Sequence, residues 1–159
     1  MAQRLYLLLS AVLMAIVSQS TLATFIAGQD GFCYKLTCWR LLSVATDETV
    51  SGAPWALMVL ALIIALASLF ALFLVFYQNY ALQKRVTIFN ALLVVGFLLT
   101  YGGFFIYFTK MLEAVNSEFT LWSVAVPVIV LILQLMSFFA IRKKEAKVLS
   151  EATTFRLRD

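Results

Sequence analysis

Several residue types that build catalytic and metal sites are scarce or missing in this sequence. The 159-residue chain has no histidine and only two cysteines. Histidine is the most frequent general acid or base in enzymes and a very common metal ligand, so its absence removes both roles. Two cysteines alone do not complete a zinc, haem or iron–sulfur site. We therefore expect no catalytic residue, no metal ion and no cofactor from this chain.

Charge is also scarce, and it is unevenly distributed. Only 13% of the residues are charged, and none of them lies inside the four long apolar runs described next. Ion pathways, proton relays and voltage sensors are normally built from ionisable groups within the membrane. The sequence therefore argues against a pump or a proton-coupled transporter.

Apolar residues make up 64% of the chain. Most of them lie in four runs, Leu5–Ile26, Pro54–Tyr77, Val86–Phe108 and Leu121–Ile141. Each run has about the 20 residues that a helix needs to cross a hydrocarbon layer of about 30 Å. The links between the second and third runs and between the third and fourth runs are short, which favours antiparallel packing of consecutive helices. The sequence predicts an all-α membrane protein: one domain over residues 1–159, with four transmembrane helices in an up-down-up-down bundle.

The first apolar run has a second interpretation. Arg4, the apolar residues Leu5–Val17 and the polar residues after them resemble a signal peptide. Apolar character resumes at Leu22, Phe25 and Ile26, however. We therefore interpret the run as an uncleaved first span.

Basic residues indicate the orientation of the predicted spans. Only Lys35, Arg40 and Lys110 lie in the loops after the first and third runs. Lysine and arginine in short loops mark the cytoplasmic side, so both termini and the middle loop are predicted to be cytoplasmic in a bacterial inner membrane. Their position at the ends of apolar runs favours contact with membrane lipids and argues against nucleic-acid binding. The nine residues on the predicted cytoplasmic side are Arg4, Lys84, Arg85, Arg142, Lys143, Lys144, Lys147, Arg156 and Arg158.

Two segments outside the runs carry structural patterns of their own. The first outer loop, residues 27–53, contains the aromatic stretch Phe32–Trp39, which predicts one or two short strands with a turn. The cytoplasmic tail, residues 142–159, is predicted to continue the fourth helix. Its apolar stripe is compatible with the inner leaflet, a partner protein or solvent. The stripe consists of Ala146, Leu149, Ala152 and Phe155.

Two amide side chains interrupt the later spans. Asn90 and Gln134 both fall in the inner halves of the third and fourth runs. Interhelical hydrogen bonds of polar side chains join membrane helices, so we expect these residues to bond to each other or to a partner helix. The alternative is that they contact the headgroup of a lipid or quinone.

Small residues form two stripes at helical spacing. Small side chains let membrane helices approach closely, and the short link between the second and third spans makes those helices neighbours. We therefore predict that the two stripes pack against each other. The stripes are Ala61, Ala65 and Ser68 in the second run, and Gly96, Thr100 and Gly103 in the third.

Cys33 and Cys38 lie in the first outer loop, on the side of the membrane where disulfides form. On one continuous strand they would be about 16–17 Å apart and on opposite faces. A disulfide needs Cα atoms within about 7 Å, which requires a turn at Tyr34–Thr37. Three alternatives stay open: a structural disulfide, two free thiols and a thiol redox site. The lack of a Cys-x-x-Cys motif argues against the redox site.

Several segments together resemble a known family. Met1–Leu9, Lys84–Asn90, Ala140–Val148 and the ending Arg156-Leu157-Arg158 are similar to a four-span inner-membrane family of Bacteroidota built on a domain of unknown function. Tyr34–Thr37 and Ala45–Glu48 resemble that family's first-loop strands. The resemblance implies a location in the cytoplasmic membrane. It brings no activity and no functional residues.

These observations favour a non-enzymatic accessory or scaffolding subunit of a larger membrane complex. We expect protein partners in the same membrane, bound through the first outer loop or the tail, and a homo-oligomer is one form of this hypothesis. The alternative is a lipid- or quinone-binding membrane module. A periplasm-facing thiol redox protein is a further alternative.

Overall fold

The computed structural model describes residues 2–27, 31–77 and 79–156, and it divides them into four helices and five strands. Residues 28–30 of the first outer loop and residues 157–159 of the predicted tail, including Arg158, lie outside the described residues. The elements are α1 Ala2–Gln19, β1 Thr21–Ala27, β2 Cys33–Thr37, β3 Leu41–Ser43, β4 Thr49–Ser51, α2 Trp55–Phe76, α3 Tyr80–Met111, β5 Ala114–Phe119 and α4 Leu121–Arg156.

Three helices of the described chain are long and apolar enough to cross a membrane, namely α2, α3 and the Leu121–Thr153 part of α4. The boundaries of α2 agree closely with the predicted second span, and Pro54 with its φ of −64° immediately precedes it. α3 begins earlier than predicted because Asn79 caps it: the Asn79 side chain accepts a 3.3 Å hydrogen bond from the backbone of Leu82. α4 continues through the predicted tail to Arg156.

The predicted first span, Leu5–Ile26, is only partly helical. α1 ends at Gln19, and Thr21–Ala27 forms strand β1. The Ser20 backbone and side chain both donate to the carbonyl of Val17, which closes the helix. Threonine and aromatic residues then favour an extended strand. The prediction of a helix through Ile26 was therefore wrong, because apolar character alone does not distinguish a helix end from a buried strand.

The strands form one antiparallel sheet in the order β4-β3-β2-β1-β5, which we call the sheet layer. The predicted strands in the first loop are present as β2 and β3, with a turn at Thr37–Arg40. The prediction missed three members: β1 comes from the end of the first apolar run, β4 from the end of the first outer loop, and β5 from the loop before α4. β5 pairs with β1, with Phe25 opposite Ser117.

The four helices pack around a shared core. α1 and α3 each contact both α2 and α4. The sheet layer is attached to the helices by Tyr101 of α3, whose hydroxyl donates a 3.0 Å hydrogen bond to the carbonyl of Leu22 and accepts another from Ser123 of α4. Phe25 of β1 adds an aromatic contact with Phe105, at 5.4 Å between ring centroids. These contacts fix the sheet layer at one end of the helices.

Candidate functional site

Each helix contributes one polar side chain to a cluster inside the shared core. Ser10 comes from α1, Ser68 from α2, Asn90 from α3 and Gln134 from α4, and all four are at most 1% exposed. We call these four residues the polar cluster. They lie three or four residues from the neighbouring buried positions of their own helices, which is why all four side chains point to the same interior.

Ser68 is the common partner in this cluster. Its Oγ accepts hydrogen bonds from Asn90 Nδ2 at 2.7 Å and from Gln134 Nε2 at 3.1 Å, and it donates to the Ile64 carbonyl at 2.9 Å. Gln134 Nε2 also donates to Ser10 Oγ at 3.0 Å. Both hydrogens of the Gln134 amide are therefore used between α1 and α2. The cluster joins all four helices through neutral hydrogen bonds.

The structure therefore refines the prediction for Asn90 and Gln134. Both residues hydrogen-bond to partner helices, and they meet through Ser68 rather than with their own amides in direct contact. Ser68 was predicted only as a small packing residue. The contribution of Ser10 was missed, although a hydroxyl in the middle of an apolar helix is a signal that could have identified it.

Four other polar atoms in the core have no hydrogen-bond partner within the described structure. Two are the amide oxygens of the polar cluster, Asn90 Oδ1 and Gln134 Oε1, and two are the hydroxyls of Thr87 and Ser137. Thr87 lies one turn from Asn90 on α3, and Ser137 lies one turn from Gln134 on α4. Both hydroxyls belong to residues that are at most 1% exposed. The unpartnered atoms are thus concentrated on one side of the polar cluster.

A second set of polar contacts joins the helices further toward the beginning of α1. Gln3 of α1 donates to Gln83 of α3 at 3.0 Å, and Gln83 donates to the Leu74 carbonyl of α2 at 2.7 Å. Lys144 of α4 donates to Gln3 Oε1 at 3.0 Å. We call Gln3, Gln83 and Lys144 the inner cluster. At this level the beginnings of α1 and α3 meet the later parts of α2 and α4.

An ion pair lies beside the inner cluster. Lys84 Nζ is 2.7 Å from Glu145 Oε2 and 2.9 Å from Oε1, with the two side chains 28% and 33% exposed. This contact ties the beginning of α3 to the part of α4 that was predicted as tail. Beyond it the apolar stripe of the tail is exposed at Ala146, Leu149 and Ala152, and the Phe155 side chain lies outside the described residues.

The small-residue stripes behave differently on the two helices. On α2, Ala61 and Ser68 are buried and Ala65 is half-buried, as a packing stripe requires. On α3, a Cβ added at Gly96 or Gly103 would meet no atom within 4 Å, and Gly103 is exposed. The buried face of α3 instead carries larger side chains such as Asn90 and Phe97. Gly96 and Gly103 therefore do not pack closely against α2, contrary to the prediction.

Cys33 and Cys38 are two separate free thiols in the structure. Cys33 begins β2 and is exposed, whereas Cys38 follows the end of β2, is buried, and donates to the carbonyl of Val17 at 3.6 Å. Burial raises the pKa of the Cys38 thiol to about 12. A thiol that stays protonated is a poor nucleophile, so this geometry corresponds to the free-thiol alternative and gives the redox alternative no support.

Within residues 2–27, 31–77 and 79–156, no group of three or more cysteine, aspartate or glutamate residues is placed to hold a metal ion. Three grooves on the described surface are lined by residues outside the polar cluster. Two of them are largely apolar and flank α3, with volumes of about 490 and 430 Å³. The third, of about 580 Å³, lies on the sheet layer beside Trp39 and Arg40.

The fold and the site define the class of protein: a mostly helical chain with three long apolar helices, a small antiparallel sheet and a core held by neutral polar contacts. Within that class the family is known. Residues 2–151 match the family described as domain of unknown function DUF4293, and the chain belongs to this family. The match bears out the resemblance to a family built on a domain of unknown function. No curated protein matches the chain.

Proposed function

We propose that this protein is a non-enzymatic integral protein of the bacterial inner membrane that acts as an accessory or scaffolding subunit of a larger membrane complex. The single observation that carries the accessory role is the apolar exposed surface of the sheet layer. The exposed apolar surface of the helices separately supports the membrane location.

The helices expose much of their apolar surface. In their most apolar stretches only 28% of α2, 22% of α3 and 33% of α4 is buried inside the protein. Water would penalise so much exposed apolar surface, whereas hydrocarbon chains solvate it. The exposed apolar residues of these helices include Leu66, Phe73, Leu92, Leu99, Ile106 and Phe139.

A four-span, up-down-up-down topology with cytoplasmic termini fits these helices. α1 has 18 residues, which gives a length of about 27 Å at 1.5 Å per residue, close to a hydrocarbon thickness of about 30 Å. α1 contacts α2 and α4, as α3 does. The inner cluster lies at the basic end of the protein. At this end the guanidinium carbon of Arg4 also lies 4.7 Å from the centroid of the Phe76 ring. This end would face the cytoplasm.

The sheet layer presents a second apolar surface, at the opposite end of the helices. Outward apolar side chains occur on β1, β4 and β5 and in the segments between strands, and Val115 of β5 is 79% exposed. β5 is also an edge strand, so one row of its backbone groups is unpaired with the sheet. Exposed apolar patches with a strand edge are typical of protein-binding surfaces. The exposed residues include Ile26, Phe32, Trp39, Val44, Val50, Val115 and Phe119.

Site-specific photocrosslinking in intact cells tests the accessory role. A crosslinking amino acid at Val115 should capture one protein in the same membrane, and the same amino acid at Leu92 serves as the control because Leu92 is 67% exposed on a helix face. Capture of a second copy of this chain would identify a homo-oligomer. If Val115 and Leu92 give the same pattern and the purified particle is a monomer, the accessory role is wrong.

One observation favours the alternative of a lipid- or quinone-binding module. Apolar grooves flank the outer half of α3, one of them lined by Gly103, Phe104 and Tyr107 and the other by Gly102 and Phe105. Grooves of a few hundred Å³ with aromatic walls accept acyl or isoprenoid chains. Extraction and mass analysis of co-purified lipids tests this alternative. Gly103→Leu should release a specific lipid if the first groove holds one.

A further inference from the structure

Two of the unpartnered polar atoms, the hydroxyls of Thr87 and Ser137, lie at one level between the two clusters. Thr87 lies between Gln83 and Asn90 on α3, and Ser137 lies between Gln134 and Lys144 on α4. Leu7 of α1 and Ala71 of α2 occupy the corresponding positions on their helices. A helix rises about 1.5 Å per residue, so this level is roughly 4.5–6 Å from the polar cluster. The amide oxygens of the neighbouring polar cluster, Asn90 Oδ1 and Gln134 Oε1, also lack hydrogen-bond partners.

The residues at this level are mostly small. Ala71, Thr87 and Ser137 are small, and only Leu7 has a large side chain. All four are buried. The levels on the sheet side are filled by larger groups such as Met14, Ile64 and Phe97. A buried water needs polar partners and enough space, and small side chains favour such space.

We propose that this level is an internal water site bound by Asn90, Gln134, Thr87 and Ser137. The two amide oxygens are acceptors, and the two hydroxyls each have a hydrogen to donate. One water molecule donates two hydrogen bonds and accepts two, which matches this set. Buried waters typically make two to four hydrogen bonds to polar groups that otherwise lack partners. The water completes the polar contacts that join α3 to α4.

The charge of the surroundings favours water over an ion. The four groups are neutral, and among the described residues no carboxylate is buried. A cation in a low-dielectric core without a compensating charge is strongly disfavoured. The charged member of the inner cluster is Lys144, and its sign opposes a cation. A lipid headgroup is excluded from the site because the four residues are at most 1% exposed.

Removal of the two hydroxyls gives opposite results for a hydrated and a dry core. In a dry core Thr87→Val deletes an unpartnered buried hydroxyl at nearly constant volume, so the Tm of the purified protein should rise. In a hydrated core the same change removes one partner of the water, so the Tm should fall. Thr100→Val is the matched control, because Thr100 lies on the same helix and donates to the Gly96 carbonyl at 2.8 Å.

We expect Thr87→Val and Ser137→Ala each to lower the Tm by more than Thr100→Val. The double variant should lose less than the sum of the single losses, because both groups bind the same water. A Tm that rises in Thr87→Val, or losses that are fully additive, would overturn the proposal. Replacement of Na⁺ by choline at constant ionic strength should leave the Tm unchanged, and a Na⁺-specific stabilisation would assign the site to a cation instead.

A structure of the wild-type protein that resolves ordered water gives a test that does not depend on variants. Density should lie about 2.5–3.2 Å from Asn90 Oδ1 and Gln134 Oε1. Absence of density there, with Thr87 and Ser137 hydroxyls rotated onto their own helix carbonyls, would overturn the proposal.

Discussion

Asn90 of α3 donates a 2.7 Å hydrogen bond to Ser68 of α2, at the level where α1 and α4 also contribute a polar side chain. This contact sets the register of α3 against α2. A slip of either helix by one turn would place the Asn90 amide against apolar side chains. Buried polar groups without partners are costly, so the polar cluster selects one arrangement of four otherwise interchangeable apolar helices.

Ser68→Ala should destabilise the protein, because Ser68 accepts hydrogen bonds from both Asn90 and Gln134. We expect a loss of about 1–2 kcal/mol in the free energy of unfolding, measured by denaturant titration in detergent micelles. The control is Ser18→Ala, since Ser18 bonds only to the Ala15 carbonyl of its own helix among the contacts described. Equal losses in the two variants would mean that the polar cluster does not stabilise the core.

Gly96→Ala should stabilise the protein, because a Cβ at this position meets no atom within 4 Å. The gain should reach about 1 kcal/mol, the difference in helix propensity between glycine and alanine. Ala61→Leu is the contrasting change: Ala61 is 1% exposed, and overpacking it should cost about 1–3 kcal/mol. A loss of stability in Gly96→Ala would restore the prediction that α3 packs closely through its glycines.

The Lys84–Glu145 ion pair should contribute modestly to the attachment of α3 to α4. A double-mutant cycle with Lys84→Met and Glu145→Gln should give a coupling of about 0.2–1 kcal/mol, reduced at roughly 1 M salt by screening. Another described ion pair, Lys147–Glu151, serves as the control because it is longer, at 3.9 Å, and more exposed. Its cycle should give a smaller coupling. The reverse order would contradict the assigned geometry.

Cys33 and Cys38 should differ in reactivity. A maleimide should label Cys33 in the folded protein and Cys38 only after unfolding, because burial raises the pKa of Cys38 from its ordinary value of 9.0 to about 12. The labelling is followed by mass spectrometry of Cys33→Ser and Cys38→Ser variants. Fast labelling of Cys38 in the folded protein would show that the end of β2 is open.

The same raised pKa predicts a loss of stability at alkaline pH. Between about pH 9 and pH 12 the Cys38 thiol ionises in the unfolded chain and stays protonated in the folded one, so the unfolded state binds fewer protons. The free energy of unfolding therefore falls as the pH rises through this range, and the contribution is fully present below pH 9. Cys38→Ala should reduce this slope, as measured by unfolding at about pH 8 and about pH 11.

The helical spans illustrate what local sequence can predict. Residues 55–76 are continuously apolar and follow a proline, and α2 begins and ends within one residue of the predicted span. The α3 glycines illustrate the opposite case. Gly96, Thr100 and Gly103 have the spacing of a packing stripe, but the core face of α3 is the one that carries Asn90 and Phe97. Spacing gives the residues that share a face and leaves open which face a neighbouring helix covers.

The sequence by itself determined the composition of the elements: apolar runs long enough to span a membrane, a basic end and a β-rich loop. The tertiary structure alone decided that β1 and β5, some 90 residues apart in sequence, pair in one sheet, and that Ser10, Ser68, Asn90 and Gln134 meet. Hydrophobicity and propensity act within a short stretch of chain, whereas strand pairing and buried hydrogen bonds depend on which distant segments the fold brings within about 3 Å.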